Sequence, residues 1–442
     1  MRIERTLELN SHVHPNPLNL PGNESHIKQK RLAIPTPSNQ HSGSIYGVET
    51  PIQEMIVPPP KIGWYLHLPF CKTKCGYCDF YSLPTIPNLI GDLVRSIRRE
   101  ISQRDPRRPV ETVFIGGGTP TELPDDALAS ILEIVLQRTG PVREWTVEAN
   151  PTSAKEAKLE VLGQHGVNRI SFGAQSFHPD ELKVLERLHD PGHIEESVRA
   201  ARAVGMDNVN LDLIYAIPGQ TIDRWRDSLR RAIDLETEHL SCYALMYEPG
   251  TSLTKLRLNG RIISCEENLE AEMFEATIEE LTKAGFEHYE ISNFAKPGRR
   301  CRANIIYWQN CEYVGIGPSA VSYLDGVRRK NIADVRRYVE LMKSDATAIV
   351  AEQEQLPALE RAGETAVQML RLTHGIDIKM FRNQTGFDPR EIFTEPIERF
   401  TEIDLITQDD QSIRLTRHGM LLANRVMEDF LLGTEASRTK IS

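Results

Sequence analysis

From residue 61 onward the chain repeats one rhythm of apolar and polar positions. A short run of β-branched or aromatic residues is followed by a polar or glycine-bearing turn, and then by apolar residues at helical spacing. Six runs read as strands: Gly63–Leu68, Thr112–Ile115, Glu144–Glu148, Arg169–Phe172, Asn208–Leu213 and His239–Leu245. Between the second and third, Leu128, Ile131, Leu132 and Val135 mark one face of a helix from Asp125 to Arg138, with Asp125 placed to cap its start and Gly140 to end it. Strands alternating with helices predict a parallel sheet. Every distinctive motif follows directly on a strand, where α/β folds gather their chemistry, so the expected fold is α/β, a partial (β/α)6 TIM-like barrel.

The later pattern differs. A long helix is predicted from Cys265 to Ala284, with Leu269, Met273, Phe274, Ile278 and Leu281 as its apolar positions, Ser264 as its cap and Gly285 as its stop. A polar-aromatic stretch, Tyr289 to Tyr323, comes next. The tail then reads as helices over Thr365 to Leu372 and Arg414 to Leu431, with a strand-like Ser412 to Thr416, which predicts a C-terminal helical, winged-helix-like domain. The first sixty residues hold nine of the 27 prolines and no periodicity, so they read as a disordered extension, with Pro58-Pro59-Pro60 a stiff spacer. The expected division is 1–60 extension, 61–285 barrel, 286–345 a region packing on the barrel, and 346–442 the C-terminal domain.

Length and charge narrow the function. With 442 residues, 40% of them hydrophobic, a large core needs no staples. No run of 18 apolar residues exists to span a bilayer, and no signal-like segment opens the chain, so a cytoplasmic protein is expected. Its 52 Lys+Arg against 62 Asp+Glu give a net charge of −10, which argues against nucleic acid as the main partner and gives the winged-helix-like tail a structural or docking role.

Seven cysteines are too few and too scattered for a disulfide scaffold, but Cys71, Cys75 and Cys78 fall within eight positions after the first strand. A structural zinc ion prefers four protein ligands, and His67, the nearest candidate for a fourth, sits in an alternating strand as a packed residue would. A [4Fe–4S] cube suits thiolates better, and three of them leave one iron open to a ligand. Cys242, Cys265, Cys301 and Cys311 read as packing residues. Further candidates stand at successive strand ends: the turn Gly116-Gly-Gly-Thr-Pro120, Glu148 in Glu-Ala-Asn-Pro151, Gln175 in Gly-Ala-Gln-Ser176, Arg187, and Asp212, a carboxylate at a core-like position that needs a partner.

The CxxxCxxC spacing with Tyr77 before the third cysteine resembles the signature of the radical S-adenosylmethionine superfamily. In that family the amino and carboxylate groups of S-adenosylmethionine chelate the open iron, and an electron from the cube cleaves the sulfonium to give a 5′-deoxyadenosyl radical. Tyr65-Leu-His-Leu-Pro-Phe-Cys71, Cys78-Asp-Phe80, the GGGTP turn, Ser171-Phe-Gly-Ala-Gln-Ser176 and Asp212 to Gly219 are together similar to the oxygen-independent coproporphyrinogen III oxidase group, over about residues 61 to 430. The true oxidase carries a fourth cysteine two positions after the third. Here that position is Phe80, which resembles the haem chaperone branch, as do Tyr289-Glu-Ile-Ser-Asn-Phe-Ala295 and Asn304-Ile-Ile-Tyr-Trp308.

The resemblance implies cluster ligands at Cys71, Cys75 and Cys78, and S-adenosylmethionine contacts at Tyr65, Gly117, Gly118, Thr119, Glu148, Gln175, Arg187 and Asp212. It also implies haem as cargo, a haem-accepting client protein and a low-potential electron donor of flavodoxin or ferredoxin type; the sequence leaves monomer and homodimer both open. No catalytic residue is assigned. The alternative is the oxidase itself, a coproporphyrinogen dehydrogenase that decarboxylates propionates. One departure stands out: the branch typically reads Cys-Arg-His-Asn, and this chain reads Cys301-Arg-Ala303-Asn304, without the imidazole that is a common haem ligand.

Overall fold

The computed structural model describes residues 62–103 and 108–431; the expectation for residues 1–60 lies outside them. One twelve-stranded sheet organises the chain. Its heart is a parallel run, β1 (Ile62–Leu68), β2 (Val110–Gly117), β3 (Glu144–Ala149), β4 (Arg169–Gln175), β5 (Val209–Tyr215) and β6 (His239–Ala244), hydrogen-bonded in chain order. These are the six predicted strands, several extended by one to three residues at their carboxyl ends.

Helices α1 (Pro87–Gln103), α2 (Asp125–Thr139), α3 (Glu156–Gln164), α4 (Pro191–Ala203) and α5 (Ile222–Asp234) return the chain between strands. In α2 the predicted apolar face is buried and Gly140, at φ +64°, ends the helix. Asp125 lies inside the first turn instead of capping it; Pro124 takes the cap position. The long helix α6 (Glu267–Lys283) starts two residues later than predicted, with Glu266 and not Ser264 at its cap.

The strands carry two kinds of residue on alternate positions. Trp64, Leu66 and Leu68, Val113 and Ile115, Trp145 and Val147, Ile170 and Phe172, Val209, Leu211 and Leu213, and Leu240 all join the large core beneath the helices. The intervening positions face the lumen and are mostly polar: Tyr65 and His67, Thr112, Thr146 and Glu148, Arg169 and Ser171, Asn210 and Asp212, His239 and Ser241.

Segment 286–345 builds one edge of the sheet and most of the other, whose outermost strand comes from residues 350–354, expected in the C-terminal domain; the polar-aromatic pattern did not reveal this. β7 (Glu287–Glu290) and β8 (Asn293–Ala295) pair antiparallel beyond β6. The chain then crosses through α7 (Arg302–Trp308) to the opposite edge, where β9 (Tyr313–Ile316) lies parallel to β1 as a seventh parallel strand. β10 (Val321–Leu324), β11 (Val327–Asn331) and β12 (Val350–Glu354) continue antiparallel. Buried Glu100 of α1 holds this edge, accepting from Gly317 N–H (2.8 Å), Asn331 Nδ2 (3.1 Å) and the Tyr338 hydroxyl (2.6 Å) of α8 (Val335–Ser344).

The C-terminal segment has its own core, including Phe381, Phe393, Phe400, Ile413 and Phe430. It begins with α9 (Ala358–Met369) and carries a small antiparallel sheet in which β15 (Ser412–Leu415) lies between β13 (Ile376–Asp377) and β14 (Ile406–Gln408). The predicted helix from Arg414 is corrected: the strand runs to Leu415, Thr416 caps a short helix by accepting from Gly419 N–H at 2.9 Å, and a second short helix follows from Ala423.

Candidate functional site

The carboxyl end of β1 leads into the three cysteines, and the end of β2 is stitched to it. Gly118 N–H donates to Leu68 O (2.8 Å) and Thr119 N–H to Phe70 O (2.7 Å), so the glycine turn lies directly against the backbone that precedes Cys71. A methyl group on Gly118 would sit 2.5 Å from Phe70 O and 2.7 Å from Leu68 O. Gly117 has φ +98°, and a side chain there would meet the His67 ring at 2.5 Å. Gly117 N–H also donates to Glu148 Oε2 (3.3 Å), and the Thr119 hydroxyl points at Cys71 Sγ (3.7 Å).

His67 is a packed residue, as its place in the strand implied. Its Nε2–H donates to Tyr81 O (2.8 Å), its Nδ1 accepts from the Tyr65 hydroxyl (3.2 Å), and burial lowers its pKa to about 4. Tyr65 stacks on Phe114, with ring centroids 6.2 Å apart.

The cysteine loop is pinned from several sides. Cys78 N–H donates to Cys75 O (3.1 Å), Thr85 N–H to Cys71 O (3.0 Å), and Leu253 N–H to Gly76 O (2.8 Å). Tyr77 packs against Leu185, Ile214, Ile217, Leu245 and Leu253. Arg187 bridges the loop to β4: one guanidinium nitrogen donates to Cys75 Sγ (3.3 Å), the other to Gly173 O (2.7 Å). Burial raises the pKa of Cys71 and pushes Cys78 up to about 12, with the charge of Cys75 adding to both. Such thiols lose their protons only when a metal centre supplies compensating positive charge.

This donor set fits an iron–sulfur cluster. Three thiols share one loop, are close enough to oppose one another's ionisation, and already have a guanidinium donor on one sulfur. Among the described residues no three His, Cys, Asp or Glu side chains converge as a single metal ion requires. In a [4Fe–4S] cube each of three thiolates would take a different iron. Of the remaining cysteines, Cys242 and Cys301 are buried, as packing residues should be, whereas Cys265 and Cys311 are partly exposed.

Asp212 has the partners its position demanded. Asn210 Nδ2 donates to its Oδ1 (2.8 Å) and the Ser171 hydroxyl to its Oδ2 (3.2 Å). Its charge reaches Tyr77, adding to the upward shift that burial and Cys75 impose on that phenol. Gln175 takes a left-handed backbone at φ +65° and turns its amide back toward Gly173. Thus Gly117, Gly118, Thr119, Glu148, Gln175, Arg187 and Asp212 gather at the upper lumen around the cysteine loop, while Tyr65 sits one step lower on β1.

Below this rim lies a polar floor that the motifs did not announce. Asn210 commits both N–H bonds, to Asp212 and to Ser171 Oγ (2.7 Å), so its oxygen accepts from His239 Nδ1–H (2.6 Å). His239 Nε2 then accepts from the Tyr289 hydroxyl (2.8 Å), whose oxygen accepts from Cys301 N–H (3.4 Å). Burial, and then Arg169, hold the His239 pKa well below its ordinary value, which matches this neutral tautomer. Glu144 caps α7, accepting from Arg302 N–H (3.0 Å) and Ala303 N–H (3.1 Å). Ala303, where the haem chaperone branch typically carries histidine, is 3% exposed and packs with Phe114, Cys301 and Tyr65 inside the barrel. The signal for Glu144, Arg169, Ser171, Asn210 and His239 was present as polar residues at alternate positions of otherwise apolar strands.

A partial βα barrel with a three-cysteine loop after its first strand is the framework of a radical S-adenosylmethionine protein, and residues 65–232 match the Radical SAM superfamily. Residues 356–422 match the HemN C-terminal domain. The chain is 34% identical over 375 residues to heme chaperone HemW of Bacillus subtilis, covering 83% of this chain and 98% of that one. It is 30% identical over 388 residues to heme chaperone HemW of Escherichia coli, covering 85% and 100%. The chain belongs to the HemW family of radical S-adenosylmethionine proteins. Its fold is that of coproporphyrinogen III oxidase (HemN) from Escherichia coli, with TM-score 0.73 and 21% identity over 85% of this chain and 91% of that one. Superfamily membership implies a [4Fe–4S] cluster and S-adenosylmethionine as cofactors. No helix of the described residues is long and apolar enough to cross a membrane.

Proposed function

We propose that this protein is a cytoplasmic haem chaperone: Cys71, Cys75 and Cys78 hold the [4Fe–4S] cluster, the rim residues hold S-adenosylmethionine, and the chain carries haem to a client protein. The observation that carries the reading is likeness to heme chaperone HemW over nearly its whole length, joined to Phe80 at the position where the oxidase has a fourth cysteine. Bound there, the cluster would supply one-electron reduction of S-adenosylmethionine, with electrons from a low-potential donor of flavodoxin or ferredoxin type.

The chain's own residues do the positioning. Gly117 and Gly118 let the β2 turn lie directly against His67 and the backbone that precedes Cys71. Thr119 and Arg187 donate toward the sulfurs of Cys71 and Cys75 and steady the loop. Glu148 and Asp212 present carboxylate oxygens to the hydroxyl and amino donors of the cofactor, while Gln175 and Tyr65 contribute an amide and a phenol from neighbouring strands. The lumen walls keep water from the cofactor.

Anaerobic reconstitution should give about four iron and four sulfide per chain, as a cube requires, and Cys75→Ala should lose most of both. Haemin titration should saturate, and an anaerobic assay with S-adenosylmethionine and a reductant should yield no protoporphyrinogen from coproporphyrinogen. A full cluster in Cys75→Ala sinks the ligand assignment. Absence of saturable haem binding sinks the chaperone reading, and protoporphyrinogen formation would replace it with the oxidase.

A further inference from the structure

The lumen floor carries a buried guanidinium most of whose hydrogen-bond donors are unused. Arg169 opens β4, faces inward and is 2% exposed. A guanidinium has five N–H donors in a rigid fork. Arg169 makes one hydrogen bond, to Thr146 Oγ1 at 3.4 Å, and its Nε–H has no partner. The acceptors around it are engaged elsewhere. Two carboxylates act on its charge, and both are bonded to other donors: Glu144 to the N–H groups of Arg302 and Ala303 and to the Cys301 thiol (3.6 Å), Asp212 to Asn210 and Ser171. Tyr289 donates its hydroxyl proton to His239. Burial pushes the Cys301 thiol up to about 12, so it brings no negative charge.

Leaving a buried guanidinium with its donors idle is costly, and an ordered water, an ion or a ligand ordinarily completes the set. Ala303 contributes only a methyl group to this region, where it packs with Phe114, Cys301 and Tyr65. We propose that Arg169 anchors a carboxylate-binding site on the floor of the lumen, below the cofactor rim. The planar fork matches two carboxylate oxygens. A monoanion also suits the site better than a phosphate dianion, which the neighbouring Glu144 would repel. The carboxylate belongs either to a propionate arm of a porphyrin or to a free small acid.

The test uses the full, cluster-loaded chain. Its thermal midpoint is followed in acetate against chloride, at equal ionic strength and pH 7.5. Wild type should rise saturably with acetate, and Arg169→Gln should lose the rise. Arg169→Lys, which keeps the charge without the fork, should need roughly tenfold more acetate for half the effect. Haem and its dimethyl ester separate the two sources. A propionate in the fork makes the ester bind roughly tenfold more weakly to wild type and equally well to Arg169→Gln. A free acid leaves haem and ester alike while the acetate effect persists; either pattern supports the site. A wild type indifferent to acetate that also binds haem and ester alike overturns it. Should Arg169→Gln fail to fold, the lysine variant and the wild-type titrations still decide. The proposal rests on lumen geometry alone, so a chain that binds no haem defeats the chaperone reading and leaves the acetate result standing.

Discussion

Gly118→Ala tests whether the β2 turn and the cysteine loop are one mechanical unit. The added methyl group would lie 2.5 Å from Phe70 O, 2.7 Å from Leu68 O and 2.7 Å from the Pro69 carbonyl carbon, all backbone atoms at the end of β1. None can swing away as a side chain would. Overpacking of this kind costs about 1–3 kcal/mol. Relief by separating the two segments weakens the bonds from Gly118 N–H to Leu68 O and from Thr119 N–H to Phe70 O, each worth about 1 kcal/mol. The expected loss is therefore about 3 kcal/mol, with Cys71 displaced because it follows Phe70 directly. Gly163→Ala is the matched control: Gly163 lies in α3, a methyl there meets nothing within 4 Å, and alanine in a helix should stabilise by about 0.5–1 kcal/mol. Urea unfolding and iron content after anaerobic reconstitution are measured on both variants. Unfolding at wild-type urea with a full iron complement in Gly118→Ala would refute the coupling.

His67 should make stability depend on pH. Its folded pKa of about 4 lies below the unfolded value near 6.5, so its contribution is complete above pH 6.5 and is lost as pH falls toward 4, where the unfolded chain takes up a proton that the folded chain refuses. Between pH 7.5 and 5 the wild type should lose about 2 kcal/mol more than His67→Gln in urea titrations; equal losses would contradict a buried neutral imidazole. Tyr289→Phe removes the donor to His239 and the acceptor for Cys301 N–H, and should lower unfolding stability by about 1–3 kcal/mol without changing iron content. A wild-type urea curve for that variant would show that water replaces the phenol freely.

The sequence was most readable where a single period governed it. The six central strands announced themselves by apolar runs ending in turns, and α2 by the spacing of Leu128, Ile131, Leu132 and Val135. The upper site was readable for the same reason, since each of its motifs follows a strand. β9 to β12 were not, because strands such as Val327–Asn331 owe their pairing to neighbours distant in sequence more than to their own composition. The floor was hidden differently. Nothing near Arg169 in sequence names Glu144, Tyr289 or Cys301 as its surroundings, because α7 arrives there only by crossing from one sheet edge to the other. Ala303 shows the same limit. Sequence marked it as a missing imidazole, whereas its setting against Tyr65 and Phe114 shows that whatever stands there faces the inside of the barrel.

The alternation of buried apolar and lumen-facing polar residues along β1 to β6 makes the protein unequally tolerant of insertions and deletions. Adding one residue within β5 would turn Asp212 beneath the helices and Leu211 or Leu213 into the lumen, exchanging the two faces at a stroke. Adding one in the turn after Gly140 changes neither face. Length variation in this lineage should therefore collect at the amino-terminal ends of the strands, where it alters no reading frame of the faces, while single-codon slips inside the strands should be eliminated. Point substitutions obey a different rule: because packing and chemistry occupy separate positions of the same strands, a lumen residue can be exchanged with the outer core left undisturbed, and the barrel can acquire new ligand preferences one side chain at a time.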